Sequence, residues 1–261
     1  MKILVINGSP RGERSNTLRV TNAFLRGMAR SADISVETVD ISKMDIRPCL
    51  GCFCCWSKTP GRCVINDDVR SVTLKILAAD LVIYSFPLFY YSVPSRLKAL
   101  IERQLPTVAP FMTGQSDYLI NGGHPPRFEI KQKTILVSTC GFYPTDKSYD
   151  AVRAQFDMIC GKGNYLELFL GEGELLSKRV ADRRCNARLD LFELAGEEYG
   201  RTGTVAEETK AKLGDHIFPP DMYAVMADDG WGVTMENFRK ADEETIEQVA
   251  AESGKEIKTI Y

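Results

Sequence analysis

Five of the chain's eight cysteines fall within fifteen residues, as Cys49, Cys52, Cys54, Cys55 and Cys63. The spacing Cys49-x2-Cys52-x2-Cys55-x7-Cys63 opens with the close succession by which soft thiolates hold an iron–sulfur cube. Four thiolates would also satisfy structural zinc, although zinc sites more often separate two Cys-x2-Cys knuckles by a longer spacer. Redox-active dithiols without a metal are a third chemistry for the same residues. Cys54 is surplus to a four-ligand set and leaves the third ligand open between neighbours.

A second stretch with chemical content is Asn7 to Thr17, NGSPRGERSNT. Ser9, Ser15, Asn16 and Thr17 offer hydroxyl and amide groups, and Arg11 or Arg14 adds charge. Placed between a strand and a helix, such a loop aims backbone N–H groups and the positive end of the helix dipole at an anion. GxxxxGK[ST] and GxGxxG are both absent, which leaves a single phosphate monoester as the best fit. The competing reading is that Ser15 or Asn16 merely caps a helix.

Two further segments carry aromatic side chains: Pro87, Leu88, Phe89, Tyr90 and Tyr91 after one strand, and Thr139, Cys140, Gly141, Phe142 and Tyr143 after another. Beside a phosphate site they can stack on a flat ring while their amides bond its polar edge. Phosphate followed by ring is the outline of FMN. Any one of these aromatics taken alone is more simply a core residue.

The elements that position these groups read as strands alternating with helices. Ile3 to Ile6 is a wholly apolar run suited to a strand buried on both faces. Leu18, Thr21, Leu25 and Met28 then mark one face of a helix. Ile34 to Val39, Leu81 to Ser85, Thr134 to Thr139 and Tyr165 to Leu170 supply four more strands. Between them lie helices carrying Val69, Val72, Ile76 and Ala79, capped by Asn66 or Asp67; Leu97, Leu100 and Ile101, capped by Ser92; and Val152, Phe156 and Ile159. A long helix with Cys185, Leu189, Phe192 and Tyr199 follows. This alternation predicts right-handed βαβ units around a five-stranded parallel sheet, an α/β architecture.

Three expectations concern the remaining chain. The cysteine-rich insert spans about 47–66, and a loop of nearly thirty residues, 105–133, is functional or interfacial. A boundary near Gly200 to Thr204 separates residues 1–200 from a C-terminal extension, 201–261, suited to an oligomer interface. That extension reads as a charged helix, an irregular piece with Pro219, Pro220 and Trp231, and a last helix bearing Met235, Phe238, Ile246 and Val249.

With 261 residues, a net charge of −2 and a pI near 5.9, the chain offers no electrostatic case for nucleic acid or an anionic membrane as partner. No apolar run approaches the ~18 residues of a membrane span, and a cytoplasmic location is expected. In a reducing compartment the cysteine density points to metal or redox use rather than disulfides. Cys160 and Cys185 fit apolar helix faces. His124 and His216 belong to no recognisable triad, and Asp146, at the sixth position after Cys140, rules out the Cys-x5-Arg of a small phosphatase.

GSPRGERSNT resembles the FMN phosphate loop of the flavodoxin-like NAD(P)H-dependent FMN reductase superfamily, and SFPLFYYSVPSRLKALIER resembles its second flavin loop and helix, with Lys98 and Arg103. TCGFY matches the third loop more loosely. The resemblance covers about residues 1 to 200 and implies a flavodoxin-like three-layer sandwich of strand order 2-1-3-4-5, with FMN at its switch point. It also implies FMN contacts from Ser9, Arg11, Ser15, Asn16, Thr17, Pro87, Leu88, Phe89, Tyr90, Tyr91, Thr139, Cys140, Gly141 and Phe142. The cysteine block is similar to the compact motif of the iron-sulfur flavoprotein branch. Carried over, that motif makes Cys49, Cys52, Cys55 and Cys63 the ligands of a [4Fe-4S] cluster.

The resulting expectation is a flavin-dependent oxidoreductase or electron-transfer protein, homodimeric or homotetrameric, in which the flavin rather than any side chain does the redox chemistry. NAD(P)H, a small molecule or a ferredoxin-type protein would exchange electrons with it. A cluster-free NAD(P)H-dependent flavin, quinone or nitro reductase is one alternative, and a non-enzymatic carrier or redox sensor is another.

Overall fold

The computed structural model describes residues 1–129, 131–254 and 256–257. They form two compact units, Met1–Ile217 and Phe218–Tyr261. At the centre of the first is β1, Lys2–Asn7, whose Ile3, Leu4, Val5 and Ile6 are all buried. A strand apolar on both faces needs strands on both edges and helices above and below. Accordingly β1 pairs in parallel with β2, Ser35–Asp40, and β3, Leu81–Pro87, so that Val5 stands opposite Thr38 and Ile83. β4, Lys133–Thr139, and β5, Tyr165–Leu170, complete a sheet of order β2-β1-β3-β4-β5, as expected.

On one face lie α1, Asn16–Ser31, and the long α6, Asp182–Thr202, packed against each other. Leu18, Thr21, Leu25 and Met28 are buried there, as the periodicity predicts. Gly27 and Gly196 let these helices touch at backbone distance: a Cβ on Gly196 would stand 1.9 Å from the carbonyl oxygen of Phe24. The opposite face is covered by α2, Val69–Ala78, α3, Ser95–Glu102, and α5, Asp150–Cys160, through Val72, Ile76, Leu97, Leu100, Val152 and Phe156.

Several local expectations change. Ser92 does not cap α3: the residue before the helix is Pro94, which makes no side-chain cap, and Ser92 is engaged with Phe89 in a tight turn. The α2 helix is preceded by Asp68, although the Asp67 carboxylate does accept from the Val69 amide at 3.3 Å. Ile159 is half exposed, since the inward position after Phe156 falls to Cys160, four residues on. The long loop contains a short helix, α4, Ser116–Ile120.

After α6 the first unit continues through α7, Glu207–Leu213, to Ile217. The second unit holds α8, Pro220–Asp229, and α9, Met235–Ser253, capped by Thr234. The piece read as irregular is therefore a helix, with Pro220 at its first position, where a missing N–H is harmless. No residue of α9 is buried, Met235, Phe238, Ile246 and Val249 included. No helix among the described residues is long and apolar enough to cross a membrane.

Candidate functional site

At the carboxyl edge of the sheet the first loop is folded by Asn7. Its side-chain amide donates to the Gly12 carbonyl at 3.1 Å, and its oxygen accepts from the Ser9 amide at 3.2 Å. Gly12, at φ +56°, closes the turn. Ser15 caps α1 by accepting from the Leu18 amide at 3.3 Å; first-turn amides, here those of Asn16 and Thr17, have no intrahelical acceptor and suit an anion. Ser9, Ser15, Asn16 and Thr17 are buried, whereas Arg11 is exposed. The side chains of Asn16 and Thr17 are engaged within the protein. Asn16 donates to the Gly173 carbonyl and accepts from Ser177, both at 2.9 Å, and the Thr17 and Thr139 hydroxyls lie 2.6 Å apart.

The second loop leaves β3 at Pro87. Phe89 and Ser92 exchange backbone hydrogen bonds of 2.9 and 3.0 Å, closing a two-residue turn on Tyr90 and Tyr91. Both tyrosines have positive φ, +47° and +65°, where Asn-Gly is the usual pair. Backbone strain of this kind is commonly retained at functional sites. Tyr90 is 96% exposed, and Tyr91 stacks on Phe142 of the third loop, with centroids 5.3 Å apart and planes within 10°. The Leu88 amide donates to the Thr139 carbonyl at 2.9 Å. All three loops therefore meet at Thr139.

A strap after β5 lies against the third loop. The Gly173 amide donates to the Cys140 carbonyl at 2.8 Å and the Glu172 amide to Phe142 at 3.1 Å. Glu172 is buried; its Oε1 accepts from the Ile217 amide at 2.8 Å and lies 3.3 Å from Nδ1 of His216, whose ring stacks on Tyr143. Burial holds the Cys140 thiol above its ordinary range. Together with the Thr17 tie to the first loop, this makes a shallow aromatic and polar surface around α1's N-terminus. Its amides, hydroxyls and exposed rings fit a phosphate followed by a flat heterocycle.

The cysteine block forms a separate loop. Gly51 and Phe53 take positive φ, +61° and +51°, and the Gly51 amide donates to Cys49 Sγ at 3.5 Å. Cys55 is buried, Cys49, Cys54 and Cys63 are half-buried and Cys52 is exposed. Burial pushes the Cys55 thiol up, helped by Cys63, Cys49 and Cys52, while a backbone hydrogen bond from Cys54 lowers Cys52. The thiols thus sense one another. Among the described residues no group of three or more His, Cys, Asp or Glu is arranged to hold a metal ion. The five thiols have the donor chemistry of a thiolate-bound cluster, but their placement brings no three of them together for a metal. Trp56 anchors the loop by donating to the Leu105 and Val108 carbonyls at 3.2 and 3.0 Å, with His124 stacked on it.

The strap residues Gly173 and Ser177, the organiser Asn7 and the anchor Trp56 escape a reading based on motifs. Asn7 alone gave a local signal, an Asn-Gly at a strand end.

Residues 1–114 match the family model described as NADPH-dependent FMN reductase. An iron-sulfur flavoprotein of Methanocaldococcus jannaschii is 37% identical over 106 residues, 41% of this chain and 53% of that protein. An FMN-dependent NADH:quinone oxidoreductase of Trichormus variabilis is 29% identical over 175 residues, 61% of this chain and 79% of that protein. The chain spans about half the length of the iron-sulfur flavoproteins it matches. In fold it is similar to an FMN-dependent NADH-azoreductase from Bacillus anthracis solved with FMN, at a TM-score of 0.55 and 16% identity, over 77% of this chain and 100% of that one. The first two strand-end loops and the cysteine block lie inside the segment that matches the NADPH-dependent FMN reductase family model.

Proposed function

We propose that the protein is an FMN-dependent oxidoreductase of the iron-sulfur flavoprotein type. The observation that carries the flavin reading is the convergence of three strand-end loops at Thr139, which sets a helix N-terminus beside the Tyr91–Phe142 stack. The α1 amides, Ser9, Ser15 and Arg11 would take the phosphate. Thr17 and Asn16 would hold the loop's shape, and Leu88 to Tyr91 with Gly141 and Phe142 would bound the ring. Bound FMN supplies hydride or single-electron chemistry, and a [4Fe-4S] cluster supplies single-electron chemistry. Cys49, Cys52, Cys55 and Cys63 would hold that cluster, with Cys54 as spare thiol. No side chain is assigned as acid, base or nucleophile.

Quinone reduction by NAD(P)H without a cluster is the second reading. It is favoured by the absence, among the described residues, of three converging thiols, and by similarity to proteins named NADH:quinone oxidoreductases. Anaerobic titration of the FMN-loaded protein with NADH and NADPH, read at the flavin band, discriminates. Rapid stoichiometric bleaching followed by quinone turnover supports the second reading. Slow bleaching by both nucleotides, with fast reduction by a ferredoxin, supports a two-centre carrier.

A further inference from the structure

Glu172 breaks two local rules at once. Its backbone sits at φ +55°, a left-handed conformation natural to glycine, and its carboxylate is buried. It belongs to the strap that follows β5, which meets the third loop at backbone distance: a Cβ on Gly171 would stand 2.8 Å from the carbonyl oxygens of both Phe142 and Tyr143. From there the Glu172 amide donates to the Phe142 carbonyl at 3.1 Å. A side chain kept where glycine would be relaxed, and a carboxylate kept out of water, point to a residue retained for its charge.

That charge meets the segment after α7. Glu172 Oε1 accepts from the Ile217 amide at 2.8 Å and lies 3.3 Å from His216 Nδ1. The segment is itself fixed from α6, where Arg184 Nη1 donates to the Ile217 carbonyl at 2.9 Å and Arg188 Nη2 to the His216 carbonyl at 3.3 Å. The His216 ring lies flat on Tyr143, with centroids 3.7 Å apart and planes 9° from parallel. A chain of contacts thus runs from α6 through His216 to the third loop, which Glu172 holds by its backbone and His216 by its ring. The charged and titratable groups around the imidazole are Glu172 of the strap, Tyr143 of the third loop, Asp215 next to it in sequence, and Arg184 and Arg188 of α6. The His216 side chain is 41% exposed and exchanges protons with solvent, whereas that of Glu172 is 1% exposed.

A neutral imidazole offers Glu172 an ordinary hydrogen bond from Nδ1. An imidazolium adds the opposite charge, which strengthens a bond to a buried carboxylate about two-fold. We infer that His216 and Glu172 are positioning residues for the third flavin loop, and that the loop is held most tightly when His216 carries its second proton. The inference rests on the flavin reading above and deepens it with a proton-dependent control over the ring side of the site. Phe142, stacked on Tyr91, would bound the flavin ring, so loosening Phe142 and Tyr143 weakens ring binding. The phosphate end, built on Ser9 and the first turn of α1, stays in place.

The experiment titrates FMN into the flavin-free chain and reads the dissociation constant from flavin fluorescence. Wild type and H216N are compared at about pH 6 and about pH 8.5, on either side of the range in which histidine changes charge. Asparagine keeps a donor near the Nδ1 position and removes both the charge and the ring. Taking the ratio at each pH cancels the titration of the FMN phosphate, whose second pKa is about 6. The expected result is FMN binding about five-fold weaker in H216N at the lower pH, with a deficit of about two-fold or less at the higher. Equal affinities at both pH values, or a deficit that does not change with pH, would overturn the inference and leave the flavin reading standing. Wild type that binds no FMN would overturn both. Should H216N fail to fold, as judged by thermal unfolding of the flavin-free chain, E172Q decides, because it keeps an oxygen for the Ile217 amide and removes the charge. A deficit in E172Q that narrows as pH rises supports the positioning role, and wild-type affinity or a deficit independent of pH overturns it.

Discussion

The hydroxyls of Thr17 and Thr139 lie 2.6 Å apart, one donating to the other, and tie the first helix turn after β1 to the end of β4. Both residues are buried, so neither hydroxyl is compensated by water. Thr17→Val keeps the shape and removes the bond, leaving Thr139 with a lost partner. The expected cost is ~1–3 kcal/mol of stability and several-fold weaker FMN binding. Denaturant unfolding and flavin fluorescence titration measure the two separately, and unchanged FMN affinity would dissociate this tie from the flavin site.

Gly173 passes so close to the third loop that an added Cβ would stand 2.8 Å from Thr139 Cβ and 3.1 Å from the Cys140 carbonyl oxygen. Gly173→Ala should force the strap outward, costing about 1–3 kcal/mol. Because Asn16 donates to the Gly173 carbonyl, FMN occupancy should fall with it. A variant as stable as wild type would show that the strap yields without strain.

Tyr90 combines 96% exposure with φ +47°, so its ring contributes little packing while its backbone is strained. Tyr90→Gly should therefore stabilise the protein by roughly 1 kcal/mol while weakening turnover or binding of flat substrates. Thermal unfolding and steady-state KM report the two effects. A destabilised variant would mean that the ring has a packing role.

Asp67 is held below the ordinary carboxylate range. Desolvation pushes its pKa up, but hydrogen bonds from Arg103, the Arg47 amide and the Val69 amide outweigh it. A carboxyl whose folded pKa is depressed contributes stability that is fully present above its unfolded pKa of ~3.9 and is lost as pH falls through the folded value. Wild type should thus lose stability steeply below about pH 4. Asp67→Asn should lower stability at neutral pH and flatten that acid limb. Unfolding free energies across pH 3–7, compared for the two proteins, check the sign; parallel curves would remove Asp67 from the acid transition.

Cys52→Ala should abolish iron uptake and leave FMN bound, whereas Cys54→Ala should retain both, since the proposed ligand set leaves Cys54 out. Iron and sulfide assays after anaerobic reconstitution read the outcome. Full iron in Cys52→Ala, or its loss in Cys54→Ala, would shift the ligand set to the neighbouring thiol.

The sheet was legible because its physics is local: Ile3 to Ile6 can only be a strand covered on both faces, and Leu18, Thr21, Leu25 and Met28 repeat with a helix's period. The loops at its carboxyl edge were legible for the same reason, each being a strand end with unusual side chains. Contacts distant in sequence were not. Nothing near Asn16 announces Gly173, 157 positions on, and nothing near Asp67 announces Arg103, 36 positions on. Asp67 reads as a helix cap from its neighbours alone, and its ion pair exists only because the fold sets α3 against the cysteine loop. Pro219 and Pro220 read as irregular, although a proline at the first helical position starts α8.

The most direct test of the account is an absorption spectrum of anaerobically purified and reconstituted protein, with FMN, iron and sulfide assayed on the same sample. The account predicts one FMN together with ~four irons and ~four sulfides per chain, and a broad shoulder beside the flavin bands. Protein that binds neither flavin nor iron under these conditions would contradict it.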